Sequence, residues 1–416
     1  LINLFLTGGI FLLGVTLFAL LYWQAKGQRG PFWRYFYVPA RKSTTNAIQF
    51  GGLPLSILLM MIPWVVKAFY PLPILMHKLM PWMALSQTLV IIYGYLDDKY
   101  ELRPIFKLFF QFISVIVFSL VASAKIHPSF SSLAFMIMFV VGMGMINGSN
   151  LLDGLDTLTI KFSSVQLMML ALLPQLFPSS MADTMTIMAL MGLMAVWSFY
   201  PFNREPAKIH LGEIGGPSIG LFCFYLSTLV FAQVEEASSI KRASVSLLPL
   251  ALPIVELAVS FLRRLYNKKR PFKGDQLHVH HLLKNMHAFG PSHTSSIMAA
   301  VYLFTSAISV AIAFWLSQPF LGLLAQYCGL TFFYFMVGRK YWSGSDTLEI
   351  SARSLFNYIR KKDVMLIETS MIDNFEITIM NKEDIEKMKQ DYENNRHAKP
   401  ENSSEVVDPD DIEKAS

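Results

Sequence analysis

Long apolar stretches separated by short polar connections run through most of this chain. A helix needs roughly 20 apolar residues to cross the hydrocarbon of a bilayer. By that measure the pattern predicts about eleven spans, near residues 2–23, 50–70, 79–96, 105–123, 131–147, 160–178, 184–201, 216–234, 244–262, 295–316 and 319–338. Gly142 and Gly144 thin the helical preference of the fifth. The first lacks a basic leading region and a small-residue cleavage site, so it reads as a retained anchor. The expected fold is all-α, a polytopic integral membrane protein.

The pattern changes at about Ser343. Val364 to Met380 alternates as short strands do, and the run from Asn381, NKEDIEKMKQDYENN, reads as a capped amphipathic helix. From about His397 the chain is polar, acidic and Pro-containing, a composition expected to stay disordered. The expected organisation is a transmembrane domain over 1–342, a small α+β extension over 343–396 and an acidic tail over 397–416.

Composition agrees with the hydropathy: 53% of residues are hydrophobic and only 15% charged, which excludes an ordinary soluble domain. Cys223 and Cys328 both fall inside apolar spans, so no structural disulfide is expected. The net charge of +6 matters through its placement. Lys26, Arg29, Arg34, Arg41 and Lys42 follow the first span; Arg263, Arg264, Lys268, Lys269, Arg270, Lys273 and Lys284 follow the ninth. Even-numbered connections hold little beyond Lys78, Lys125, Lys241 and Arg242. The positive-inside rule then sets the odd-numbered connections in the cytoplasm and the N-terminus outside. Basic residues confined to loops beside spans do not imply a nucleic-acid partner.

Four polar clusters fall on that same face, where ionisable groups near a bilayer are costly unless they line a site. Asp97 and Asp98 close the third span; adjacent carboxylates repel and favour a place beside cations, although an acidic pair alone also suits a solvated turn. Lys107, opening the next span, can return to the same face and meet a phosphate. The run NGSNLLDGLDTL sets Asn147, Asn150, Asp153 and Asp156 three apart, a spacing that shares one face of a helix, with Gly148 and Gly154 allowing close backbone approach. HLGEIGG offers Glu213 among Gly212, Gly215 and Gly216, able to take a metal and cradle a phosphate, or simply a flexible loop. RPFKGDQLHVHH combines Arg270 and Asp275 with His278, His280 and His281; without a further Cys or His it is not a tetrahedral zinc set, and its imidazoles suit diphosphate or sugar oxygens.

Together these motifs resemble the polyprenyl-phosphate N-acetylhexosamine-1-phosphate transferases, the WecA/TagO/MraY superfamily, over about Arg41 to Leu283. The acidic pair corresponds to Asp97–Asp98, the Asn-x-x-Asp-Gly-x-Asp motif to Asn150, Asp153, Gly154 and Asp156, and the Gly-Asp-x-Gly loop to Gly212, Glu213 and Gly215. The basic-His loop corresponds to Arg264, Pro271, Phe272, Asp275, His278, His280 and His281, in the Asp-x-x-His-x-His-His form of the WecA type. RKSTTNAIQFGG, with Lys42 before Gly51 and Gly52, resembles the family's N-terminal basic loop. Three positions depart from the pattern: Glu213 replaces the family Asp, His210 replaces an aromatic expected to stack on uracil, and Gly216 replaces Ser.

The resemblance implies transfer of a sugar phosphate, GlcNAc-1-phosphate by preference, from a UDP-N-acetylhexosamine to undecaprenyl phosphate at the cytoplasmic face of a bacterial inner membrane. Such a step begins O-antigen, teichoic acid or other envelope polymers. It implies Mg²⁺, or Mn²⁺, at Glu213 with Asp97 and Asp98. Asp97, Asp98, Asp153 and Asp156 are its catalytic carboxylates, Asp156 toward the uridine. Lys107 and Lys42 would meet anionic substrate, and Asn147, Asn150, Gly154 and His210 would complete the donor pocket. Arg264, Arg270, Asp275 and the three His would face diphosphate and sugar. A homodimer is compatible with this reading. Two other classes fit parts of the pattern: a secondary transporter, whose polar sites sit nearer the midplane, and a Mg²⁺-dependent prenyltransferase, which does not need the His loop.

Overall fold

The computed structural model describes residues 2–27, 47–126, 131–235, 238–268, 277–287, 290–339, 364–371 and 374–381. The chain divides into two compact units, Leu1–Gly344 and Ser345–Ser416. In the second, β3 (Val364–Met371) pairs antiparallel with β4 (Asn374–Asn381), Val364 facing Asn381 and Met371 facing Asn374. That hairpin accounts for the alternation seen in sequence; the helix expected from Asn381 and the acidic tail lie outside the described residues.

The first unit is a helical bundle. Its elements are α1 (Ile2–Gly27), β1 (Ile48–Gln49), α2 (Gly52–Phe69), α3 (Ile74–Tyr100), α4 (Pro104–Ile126), α5 (Ser131–Leu151), α6 (Leu158–Leu176), α7 (Ala182–Asn203) and β2 (Ile209–His210). There follow α8 (Gly212–Gln233), α9 (Ser239–Leu247), α10 (Ala251–Tyr266), α11 (Val279–His287), α12 (Pro291–Trp315) and α13 (Pro319–Gly338). Among the described residues, ten helical segments are long and apolar enough to cross a membrane, with α9 and α10 counted as one. This is a polytopic membrane protein.

The eleventh expected span, 160–178, is the helix α6. It falls outside those ten because Lys161, Ser163, Ser164 and Gln166 interrupt its apolar run. The bundle absorbs these groups: the Lys161 ammonium lies 3.0 Å from Ser295 Oγ and 2.9 Å from Ser296 Oγ, and the Gln166 amide donates to Pro249 O at 3.0 Å. α6 therefore packs its polar side chains into the interior, while Met168 and Leu172 stay on the outer surface.

The centre of the bundle is α8, which packs on α2, α3, α5, α6 and α9. In its most apolar stretch 94% of residues are buried, against 22% for α1. Between membrane helices the driving force is close packing rather than expulsion of water, so small residues mark the tightest contacts. Gly216 and Gly220, one turn apart on α8, face the α5 backbone; a Cβ on Gly220 would sit 2.4 Å from Met145 O. Gly148 of α5 is pressed on α10, where a Cβ would lie 2.1 Å from Pro253 O.

Two short strands tie the starts of α2 and α8 together. β1 and β2 pair in parallel, Ile48 with Ile209 and Gln49 with His210. The ladder continues into the helices, Gly51 N–H donating to His210 O at 2.9 Å and Gly52 N–H to Leu211 O at 2.8 Å. A Cβ on Gly52 would lie 2.4 Å from Gly215 N, against backbone that cannot rotate away. Gly52→Ala is therefore expected to destabilise the bundle by about 1–3 kcal/mol, the usual range for overpacking, measured as a lower thermal unfolding midpoint in detergent. An unchanged midpoint would show that the two helix starts separate freely.

Candidate active site

The site is assembled at the helix ends beside that ladder. α3 ends with Asp97 and Asp98, and Glu101 adopts a left-handed conformation (φ 52°) that turns the chain. Leu102 N–H donates to Asp97 Oδ1 at 2.8 Å, holding the turn, and Pro104 opens α4, which brings Lys107 back. The Lys107 ammonium lies 2.9 Å from Asp97 Oδ2 and also contacts Glu213 Oε2.

Asp98 works through the backbone. Both its oxygens accept the Glu213 N–H, at 3.0 and 3.1 Å, at the start of α8. A carboxylate at a helix N-terminus satisfies an orphan N–H and complements the helix dipole. Gly212, at φ +68°, is required here twice over: its conformation is one that side chains disfavour, and a Cβ would meet Asp98 Oδ2 at 2.6 Å. HLGEIGG is thus not a flexible loop but the strand–helix junction of α8, and Gly215 and Gly216 serve packing rather than a phosphate cradle. Asn150, near the end of α5, donates from Nδ2 to Glu213 Oε2 at 3.0 Å.

The expectation that Asn147, Asn150, Asp153 and Asp156 share one helical face is corrected by the structure. α5 stops at Leu151, because Asp153–Asp156 turn away to meet other elements. Asn147 donates to Met143 O of its own helix at 2.9 Å. Asp153 Oδ1 accepts from the Thr159 hydroxyl at 2.6 Å, while Asp156 Oδ2 accepts Ala207 N–H at 3.1 Å and its Oδ1 lies 3.8 Å from His210 Nδ1. Asn203, which the sequence gave no reason to single out, links this turn to β2: its Oδ1 accepts Thr157 N–H at 2.8 Å and its Nδ2 donates to Ile209 O at 3.1 Å.

The His cluster closes over the same turn. A Cβ on Gly154 would lie 2.7 Å from His280 Nε2 and 3.4 Å from His281 Cε1. The rings of His280 and His281 are 4.2 Å apart, and His278 stacks on His280 at 5.6 Å. His280 is fully buried, with no hydrogen-bond partner on either ring nitrogen among the described residues. Burial, followed by the neighbouring His281, His278 and Lys284, drives its pKa well below that of free imidazole, so it is neutral at physiological pH. His210 is lowered by burial too, against the pull of Asp156. Arg264, buried at the end of α10, places Nη2 3.5 Å from His278 Nε2. Lys42, Arg270 and Asp275 lie outside the described residues.

Charge decides what such a cluster can bind. The Lys107 ammonium meets Asp97 of α3 and Glu213 of α8, Asp98 holds the Glu213 N–H, and Asp153 of the α5–α6 turn lies within electrostatic range of Asp98 and Glu213. Burial first, then Glu213, Asp98 and Asp156, push the Asp153 carboxyl up to about 8, against the lowering effect of Thr159. Its folded pKa exceeds the unfolded value, so ionisation costs stability that grows as pH rises from about 4 and is complete above about 8. Asp153→Asn keeps an oxygen for Thr159 and removes that penalty. In EDTA-treated protein it is expected to raise the unfolding midpoint at pH 9 and leave it nearly unchanged at pH 4. Equal shifts at both values would place the cause elsewhere.

Neighbouring carboxylate oxygens suit a hard divalent cation. Among the described residues no three His, Cys, Asp or Glu yet converge as a ready-made metal cage; Lys107 and Asn150 hold Glu213 Oε2.

Residues 80–231, which hold three of the four clusters, match the family model described as glycosyl transferase family 4. The chain is 27% identical over 235 residues to a probable undecaprenyl-phosphate N-acetylglucosaminyl 1-phosphate transferase of Bacillus subtilis, covering 54% of this chain and 62% of that protein. It is 32% identical over 211 residues to an undecaprenyl-phosphate alpha-N-acetylglucosaminyl 1-phosphate transferase of Thermotoga maritima, covering 49% of this chain and 60% of that protein. A phospho-N-acetylmuramoyl-pentapeptide-transferase of Dictyoglomus turgidum is 27% identical over 173 residues, covering 38% of this chain and 55% of that protein. The chain thus spans about three-fifths of the length of the first two relatives. The matched region ends before Glu256, a carboxylate buried inside the apolar run ALPIVELAVS that the motif reading passed over; its signal was the cost of a lone charge in a membrane span.

Proposed function

We propose that this protein transfers N-acetylhexosamine-1-phosphate, GlcNAc-1-phosphate by preference, from a UDP-sugar to undecaprenyl phosphate at the cytoplasmic face of a bacterial membrane. An oxygen of the lipid phosphate attacks the β-phosphorus of the donor. The bond from that phosphorus to the bridging oxygen breaks, UMP leaves with the electron pair, and a lipid-linked diphosphosugar forms. The observation that carries this reading is the meeting of Asp97, Lys107, Glu213 and Asn150 beside the Asp153–Asp156 turn, roofed by the His cluster.

Phosphoryl transfer is mainly alignment and charge neutralisation. Lys107 meets the incoming lipid phosphate once it releases the carboxylates. The lipid phosphate is largely dianionic at neutral pH, so Asp97 is assigned to positioning and charge rather than to taking a proton. Asp156 and His210 face the uridine, and Arg264 with the His cluster faces diphosphate and sugar. Mg²⁺, or Mn²⁺, would be held by Glu213 with Asp97 and Asp98, where it would neutralise charge on the transferring group. The orientation, with this site inside, rests on the positive-inside distribution.

The deciding experiment gives membranes containing the protein labelled UDP-GlcNAc and undecaprenyl phosphate. Lipid-linked label with stoichiometric UMP is expected. Absence of both with UDP-GlcNAc and other UDP-N-acetylhexosamines would overturn the reading, and pyrophosphate release from a prenyl diphosphate would replace it with prenyl transfer.

A further inference from the structure

Beneath the His cluster lies a buried polar chain built from two spans outside the carboxylate site. Glu256, on α10, has no exposed surface. Its Oε1 lies 2.6 Å from His278 Nδ1, and Oε2 accepts the Tyr334 hydroxyl of α13 at 2.6 Å. The Ser260 hydroxyl, one turn further along α10, is 3.3 Å from Glu256 Oε1 and 3.2 Å from His278 Nδ1. On the other side of the ring, His278 Nε2 lies 3.5 Å from Arg264 Nη2.

These contacts fix the direction of each hydrogen bond. A carboxylate beside Nδ1 requires a proton on that nitrogen. A guanidinium has donors only, so the Nε2 facing it must offer a lone pair. The chain then runs from the Tyr334 O–H to Glu256, from His278 Nδ1–H to Glu256, and from the Arg264 N–H to His278 Nε2. A carboxylate that orients an imidazole and sets its tautomer is a recurring device at functional sites. A buried carboxylate left without partners is costly, so the pair also resists rearrangement.

We propose that Glu256, braced by Tyr334, is a positioning residue that holds His278 in its Nδ1–H form and, through Nε2, aims the Arg264 guanidinium at the anionic donor. The arrangement gives the α13 span a role in the site without touching substrate. Arg264 meets His278 through Nη2, and a planar guanidinium fork matches the geometry of diphosphate oxygens. His278 is then a support, while His280 and His281 pack on Gly154. The aiming role rests on the proposed transferase reading; the tautomer does not.

Two measurements on the full chain test this. In detergent, ¹⁵N NMR of histidine-labelled protein, assigned with His278→Asn, should show Nδ1 protonated and Nε2 bare, and Glu256→Gln should change that signature. An Nε2–H tautomer in the native chain would overturn the proposal whether or not the protein is a transferase. In the UMP-release assay, Glu256→Gln should raise KM for UDP-GlcNAc about tenfold or more, and Tyr334→Phe should raise it by a smaller factor. In an Arg264→Ala background, Glu256→Gln should change KM less than about twofold, because coupled residues are not additive. Equal effects in both backgrounds would mean a merely structural role and overturn it. Should Glu256→Gln not fold, Tyr334→Phe, which removes one oxygen, carries the same cycle. A native chain that shows the expected tautomer but releases no UMP would sink the transferase reading and leave the Glu256–His278 pair standing.

Discussion

Lys107→Met is expected to lower turnover at least about 100-fold, in line with losing a preorganised charge at a phosphoryl-transfer centre. Lys107 is the ammonium that stands between Asp97 and Glu213, 2.9 Å from the first and in contact with the second. Methionine keeps the length of the side chain and removes the charge. Two carboxylates are then left facing each other, and the anionic lipid phosphate loses its counter-charge. The loss should fall chiefly on kcat/KM for undecaprenyl phosphate and be steeper at low ionic strength, where unscreened repulsion is largest. Lys107→Arg, charged but planar and bulkier, should recover part of the activity. Turnover of Lys107→Met within a few-fold of the native value would show that the ammonium only fills the ligand-free cluster.

Glu213→Gln is the second large effect: activity should fall by at least about 100-fold, because the substitution keeps the shape of the side chain and removes the charge a cation needs. Glu213→Asp should retain activity with a changed Mg²⁺/Mn²⁺ preference. One methylene moves the carboxylate by roughly 1 Å, a displacement that matters for phosphoryl alignment. Mg²⁺ demands near-ideal octahedral geometry, while the larger Mn²⁺ is expected to accept more distortion. Because Glu213 also accepts from Asn150 at 3.0 Å, Gln in its place can reverse that hydrogen bond, and the fold should survive. Native-like, metal-dependent turnover in Glu213→Gln would move any cation to the Asp97–Asp98 and Asp153 side.

The membrane class and the helix order were legible because hydropathy is a local property. A run of about 20 apolar residues has few alternatives to crossing as a helix. The span at 160–178 shows the limit. Its Lys161 and Gln166 are tolerable only because α12 and the turn before α10 supply partners, which no local window contains. The four polar clusters were legible by residue type, since carboxylates, amides and imidazoles at span ends need a reason.

What those residues touch was a different matter. Equal spacing predicted one helical face for Asn147, Asn150, Asp153 and Asp156, yet α5 ends at Leu151 and each side chain finds a different partner. HLGEIGG suggested a phosphate loop, but Gly212 gives room to Asp98 and Gly216 gives room to the α5 backbone. Sequence alone determined a multi-span helical protein with an acidic, amide- and His-rich set at its helix ends. Only the tertiary structure decided that Asp98 caps α8, that Lys107 stands between Asp97 and Glu213, and that Glu256 and Tyr334 stand behind His278. The physical reason is range: hydropathy sums over neighbours in the chain, whereas a hydrogen bond or ion pair forms between groups a few ångströms apart in space, brought together across 115 residues in the case of Asp98 and Glu213.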